Sequence, residues 1–198
     1  MSRIFLILSV AVLAFSSFAQ EKMPKVAREF RGLWVASVAN IDFPSAPNLT
    51  AEQQKAEIIK LLDLATELKL NAIIFQVRPM ADALYVSEIE PTSWFLTGES
   101  GKKLDFDPLK FAIDESHARG ILLHAWFNPY RVSHVSMKGD VAANHITKTR
   151  PDLVRTYNNG QILDPAEKDT QSYVTKVVMD VVKRYDIDGV HFDDYFYP

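Results

Sequence analysis

Apolar residues fall into four short runs separated by stretches with helical spacing. Residues 31–38 (RGLWVASV), 71–79 (NAIIFQVRP) and 121–129 (ILLHAWFNP) are each bounded by turn or cap residues and predict three strands. A fourth begins near Gly189, where Val190 and Phe192 alternate with His191 and Asp193 at the period of a strand with two different faces. Between them the period changes. Thr50 and Gln53 form a capping box, and Ile58, Leu61, Leu62, Ala65 and Leu68 follow at helical spacing. Asp107-Pro108 is a cap followed by proline at the first helical position, and Gly120 closes that helix. From about Asp169, a third helix carries Val174, Val177, Val178, Val181, Val182 and Tyr185 as one apolar stripe.

A β-α-β-α-β-α-β succession implies a parallel sheet with right-handed crossovers. A doubly wound sheet normally places a glycine-rich phosphate loop after its first strand, and no G-x-G-x-x-G or P-loop occurs here. A (β/α)₈ barrel instead carries long loops at the C-terminal ends of its strands. The segments 80–106 and 130–168 are such loops, about 27 and about 40 residues long, whereas the helix-to-strand turns are short. The predicted fold is therefore α/β, the N-terminal half of a TIM barrel. A whole barrel takes ~250 residues, so about four β/α units are expected, ending after the fourth strand. Half a barrel leaves its outer strands as unpaired edges, and alone it is expected to be inactive.

Composition narrows the function. With 47% hydrophobic and 24% charged residues the chain can build one core. A net charge of −3 argues against binding to nucleic-acid phosphates. Zero cysteines exclude disulfides and thiolate-ligated metal or iron–sulfur sites. Arg3, the apolar run 4–15 and Ser17-Phe18-Ala19 predict a secretory signal over residues 1–19, too short to span a bilayer as a helix. The expected location is periplasmic or secreted, with no membrane association after cleavage. The sequence carries no statement about oligomeric state.

Strand alternation selects the inward-facing side chains. Ile74, Gln76 and Arg78 share a face of the second strand, His124, Trp126 and Asn128 of the third, and His191 and Asp193 of the fourth. Polarity rises toward each C-terminal end, whereas Phe75, Val77, Leu123, Phe127, Val190 and Phe192 face the helices. A packed barrel interior would use branched aliphatics, so three polar strand ends point to a site. Asp193 and Asp194 are candidate catalytic carboxylates, because adjacent carboxylates are costly to bury unless used or paired. Tyr195 comes next, with a ring able to stack on a sugar. Asp82, Tyr85 and Trp94 in one loop, and Tyr130, Arg131 and His134 in the other, are candidate wall positions. Asn48-Leu49-Thr50 matches a glycosylation acceptor, but Thr50 is better explained as the helix cap.

Four ordered motifs, REFRGLWV at 28–35, NAIIFQVRP at 71–79, HAWFNPYR at 124–131 and GVHFDDYFYP at 189–198, closely resemble the bacterial family 10 glycosyl-hydrolase-like domain. The resemblance covers 28–198 and implies a TIM-type barrel, export to the cell envelope and hydrolysis of a glycan. Some members are associated with peptidoglycan strands stripped of peptide, and such domains continue through four further strands.

These features together indicate an exported glycoside hydrolase acting on a polysaccharide, such as peptidoglycan glycan, without cofactor or metal. Glycoside cleavage uses two carboxyl groups flanking the scissile bond. Asp193 or Asp194 supplies one, and the other is expected on a later strand. Arg78 and His191 are expected to keep an aspartate ionised. Gln76, His124, Asn128, Tyr130 and Arg131 are expected to bind the glycan, with Trp126 or Tyr195 stacking. Two alternatives stand beside it. One is a metal-dependent hydrolase using His124, His191, Asp193 and Asp194, although no H-x-H or H-E-x-x-H pair occurs. The other is a non-catalytic glycan-binding protein on the same scaffold.

Overall fold

The strands form where the apolar runs predict them. The structure, a computed structural model, describes residues 29–157 and 160–193. Strands β1 (Gly32–Val35), β2 (Ala72–Arg78), β3 (Leu122–Phe127) and β6 (Gly189–His191) make one parallel sheet in that spatial order. The connecting helices are α1 (Ala51–Glu67), α3 (Pro108–Ala118) and α5 (Lys168–Arg184), with single turns α2 (Trp94–Thr97) and α4 (Ile146–Thr149) inside the loops. The predicted caps are present. Thr50 and Gln53 bond reciprocally, and Asp107 Oδ1 accepts from Lys110 N at 3.1 Å. Gly120 takes a left-handed φ of 69° just past α3, a conformation costly for any residue with a Cβ.

The core lies between the outer face of the sheet and the helices. Ile73, Phe75, Val77, Leu123, Ala125 and Phe127 pack against Ile58, Leu62 and Ala65 of α1, Leu109, Ala112 and Ile113 of α3, and Val181 of α5. Each fully buried large aliphatic or aromatic side chain stabilises by about 1.5–3 kcal/mol relative to exposure. The predicted stripe of α5 is narrower than expected, since Val182 is 40% exposed. β1 also ends earlier than the pattern suggests. A 3₁₀ turn at Val38–Asn40 replaces its last residue, with Ala39 and Asn40 both at positive φ.

The second long loop holds a hairpin that periodicity across the chain did not predict. Strands β4 (Val154–Tyr157) and β5 (Gly160–Leu163) pair antiparallel, and Leu163 N donates to Tyr130 O at 2.8 Å. Leu153 and Leu163 join Ala81, Val132 and Ile146 in a second small core beneath the loops. Two four-residue strands within a polar connection are too short to stand out from it. The predicted signal segment lies outside the described residues. No described helix is long and apolar enough to cross a membrane.

Candidate active site

The inner face of the sheet, turned away from the helices, is built in rows by the strand register. One row aligns Trp34, Ile74, His124 and Gly189; the next aligns Gln76, Trp126 and His191. Trp34 ties the rows together, its ring meeting Trp126 at 4.7 Å and His191 at 4.5 Å, both near perpendicular. Phe30 stacks at a tilt on His124, 5.2 Å between centroids. Gly189 is required by this packing: a Cβ there would meet the His124 ring at 2.7 Å. Asp193 stands two residues after His191, just past the end of β6, and is partly buried. The same strand thus sets His191 against Trp34, with Asp193 following two residues later. Asp194 and Tyr195 fall outside the described residues.

Gln76 is held as a strut. Its Oε1 accepts from the backbone N–H groups of Ser37 and Val38, both at 2.9 Å, and Ser37 Oγ donates to Gln76 O at 2.9 Å. These bonds tie the end of β1 to β2 and fix the orientation of the amide. Its Nε2 and the Trp126 Nε1 are both buried without a hydrogen-bond acceptor.

Arg78 does not join the row. The β2–β3 pairing slips between Gln76 and Arg78, so that Gln76 faces Trp126 but Arg78 faces Phe127, leaving Val77 as an extra residue. A one-residue bulge shifts the later residues of its strand off the face that alternation predicts. The guanidinium is fully buried and grips Glu90 bidentately, Nε to Oε2 at 2.7 Å and Nη2 to Oε1 at 2.5 Å. Nη1 donates to Asn128 O, and Tyr173 Oη on α5 donates to Glu90 Oε1 at 2.9 Å. Burial opposes the charge on Arg78, but Glu90 outweighs it and holds the guanidinium above its ordinary pKa. The described carboxylate that engages Arg78 is thus Glu90, where sequence reasoning offered Asp193 or Asp194. Nothing in periodicity could select Glu90, since a loop has no fixed phase.

The remaining predicted residues divide between the same loops. Asn128 is buried, its Oδ1 accepting from Arg131 N at 2.9 Å in a turn that opens the loop after β3. Arg131 Nη1 donates to Pro79 O at 3.2 Å, and Tyr130 packs on the second small core. Asp82 and Tyr85 are not wall positions but are 2% and 1% exposed, beneath the surface beside Arg78 and Glu90. Burial raises the Asp82 carboxyl to about 7, with nearby Ser93 and Arg78 pulling the other way. Burial, Arg78 and Lys148 lower the His145 imidazole to about 4. Among the described residues no group of three or more His, Asp or Glu side chains is arranged to hold a metal ion.

Comparison with known proteins agrees with this architecture. A family model described as glycosyl hydrolase-like 10 matches residues 29–198. Glycosyl hydrolase YngK of Bacillus subtilis (strain 168) is 45% identical over 173 residues, covering 86% of this chain and 34% of that protein. Glycosyl hydrolase DigH of Escherichia coli (strain K12) is 38% identical over 187 residues, with 86% and 43% covered. The chain thus spans less than half the length of either relative. Among solved structures, the chitobiase of Flavobacterium johnsoniae aligns with a TM-score of 0.52 at 13% identity over 82% of this chain and 23% of its own. The maltogenic α-amylase AmyB of Thermotoga neapolitana aligns with 0.51 at 11% identity, over 85% and 40%. At such identity the likeness is one of fold, and it identifies the four-stranded sheet as part of a TIM barrel. From the family match along nearly its whole described length, together with these relatives, the chain belongs to the glycosyl hydrolase-like 10 family.

Proposed function

We propose that this chain forms the N-terminal part of the catalytic domain of an exported glycoside hydrolase, with Asp193 as one of its two working carboxylates. The observation that carries the reading is the place of Asp193. It lies just past the C-terminal end of a parallel strand, two residues after His191, on a sheet whose inner face presents Trp34 and Trp126. In TIM-barrel enzymes chemistry is built at that end, and aromatic rings beside a carboxylate suit a sugar ring with its apolar faces and hydroxyl edge.

Asp193 serves as nucleophile or as acid/base, and a second carboxylate from another strand completes the pair. His191, and Trp34 through it, position the strand end. The substrate is a glycan, and peptidoglycan strands stripped of peptide are the first to test. The N-terminal charge, apolar run and Ser17-Phe18-Ala19 support export. The deciding experiment is Asp193→Asn in the full-length protein, assayed for release of shortened glycan. Turnover is expected to fall by about 10²–10⁴-fold while glycan binding and the melting transition persist. A variant with near-normal turnover would overturn the assignment of Asp193.

A further inference from the structure

Two hydrogen-bond donors of the inner face are buried with nothing to donate to. Gln76 and Trp126 are register partners on β2 and β3, 1% and 7% exposed. The amide Nε2 of the first and the indole Nε1 of the second both lack an acceptor. The amide orientation is fixed by its partners. The backbone N–H groups of Ser37 and Val38 donate to one and the same atom, each at 2.9 Å, so that atom is the oxygen. The amide is planar and its oxygen is turned to the end of β1, so Nε2 is turned away from β1. On that side Trp126 stands one strand over, a backbone spacing of about 4.8 Å. An unpaired buried donor is costly, and two in one register pair make a place suited to an acceptor.

Trp34 covers that place. Its strand is β1, yet its ring meets Trp126 on β3 and His191 on β6, so it crosses the inner face of β2. It is 46% exposed, whereas Trp126 against it is 7% exposed. On the glycan reading above, we propose that Gln76 Nε2 and Trp126 Nε1 together receive the carbonyl oxygen of a sugar's 2-acetamido group once the Trp34 ring swings aside. Trp126 then acts through its N–H as a specificity residue for N-acetylated glycan, and Gln76, braced by β1, holds the second donor in place.

The chemistry of the pair distinguishes between possible acceptors. A hydroxyl brings a proton of its own, and the oxygen of the same amide, Gln76 Oε1, is already taken by two backbone donors. A carboxylate brings a charge between two neutral donors, which is costly in a buried place. Arg78, the fully buried cation two residues further along β2, is committed to Glu90 and cannot offset it. An amide carbonyl has no proton, no net charge and two lone pairs, one for each N–H. Among glycans that group belongs to N-acetylated sugars, whereas a plain glucan offers only a hydroxyl at the same carbon. A site of buried donors discriminates against a ligand that leaves them unpaired.

The test uses the full-length protein and two uncharged β-1,4 pentamers that differ only at carbon 2, N-acetylchitopentaose and cellopentaose. Peptide-stripped peptidoglycan strands serve as the third ligand. Calorimetry is expected to show the acetylated pentamer binding about tenfold or more tightly than cellopentaose. Trp126→Phe keeps a ring but removes the N–H, and it is expected to bring the two affinities within about threefold. Equal affinities in the wild type, or a preference that survives intact in Trp126→Phe, overturns the subsite. If Trp126→Phe fails to fold, the indole N–H resonance of Trp126 in nitrogen-15-labelled wild type decides. A downfield shift with the acetylated pentamer alone supports the subsite, and the same response to both pentamers overturns it. Stripped strands that bind without moving that resonance overturn the subsite and leave the glycan reading standing. Binding of none of the three overturns both.

Discussion

Gln76 and Arg78 stand two residues apart on one strand, and strict alternation would set them side by side. They belong instead to two unlike regions. Gln76 joins an aromatic row on the inner face, with its oxygen taken by the backbone of Ser37 and Val38. Arg78 joins a closed ionic cluster beneath the loops, with Glu90, Tyr173 and the Asn128 carbonyl. The bulge at Val77 separates them. A charged side chain near a strand end can thus close an ionic cluster while the residue two positions earlier braces the neighbouring strand. On the inner face Trp34 is still 46% exposed to solvent, whereas in the cluster every charge must be answered from within the protein.

Paired substitutions separate the two regions. The largest effect is expected on turnover from Asp193→Asn, which leaves the ionic cluster intact; denaturant unfolding of that variant should match the wild type. Glu90→Ala should act in the opposite sense. Removing one partner of a buried pair typically costs about 3–5 kcal/mol, and the charge of Arg78 would be left buried against Tyr173. Urea titration of the full-length protein should show that loss in its midpoint, with Glu90→Gln less severe. If Glu90→Ala unfolds at the wild-type midpoint, the cluster is not the structural half of the comparison.

The pH dependence of stability offers a finer test. Asp82, raised to about 7, tends to lower stability as pH rises from about 4 to about 7. His145, lowered to about 4, has the reverse sign. Its contribution is present above its unfolded value of about 6.5 and is lost as pH falls through the folded one. Between about pH 4 and about 6.5 the two slopes oppose each other, and stability should be nearly flat. Asp82→Asn should expose the His145 slope, so that the melting temperature climbs with pH across that window. A variant curve as flat as the wild type would refute this pairing. The smallest effect is expected far from both regions. Thr50→Ala removes the capping oxygen of α1 and should cost about 1 kcal/mol, read as a shift of a few degrees in melting, with no change in turnover.

Much of the architecture was legible from residue pattern. The four parallel strands, the caps at Thr50 and Asp107 and the outward set of Phe75, Val77, Leu123 and Phe127 obey local rules. Those rules hold because the backbone period and the need to bury one face act residue by residue. The inner positions of Trp126 and His191 were legible for the same reason. Trp34 belonged to that logic too, but the strand of 31–38 offered no polar companion to draw attention to it.

Tertiary structure decided the rest. A bulge is a mismatch between two strands, and neither strand's own sequence announces it. The partner of Arg78 came from a loop twelve residues on, and Tyr173 from a helix more than eighty residues from Glu90. The hairpin of β4 and β5 formed because Leu153 and Leu163 found a common core with Ala81, Val132 and Ile146. Alternation can assign a side chain to a face, but which charges meet depends on how loops close over the strand ends. That closure is set by burial across distant segments, so the aromatic face was written in the strands and the ionic cluster arose only when the chain folded.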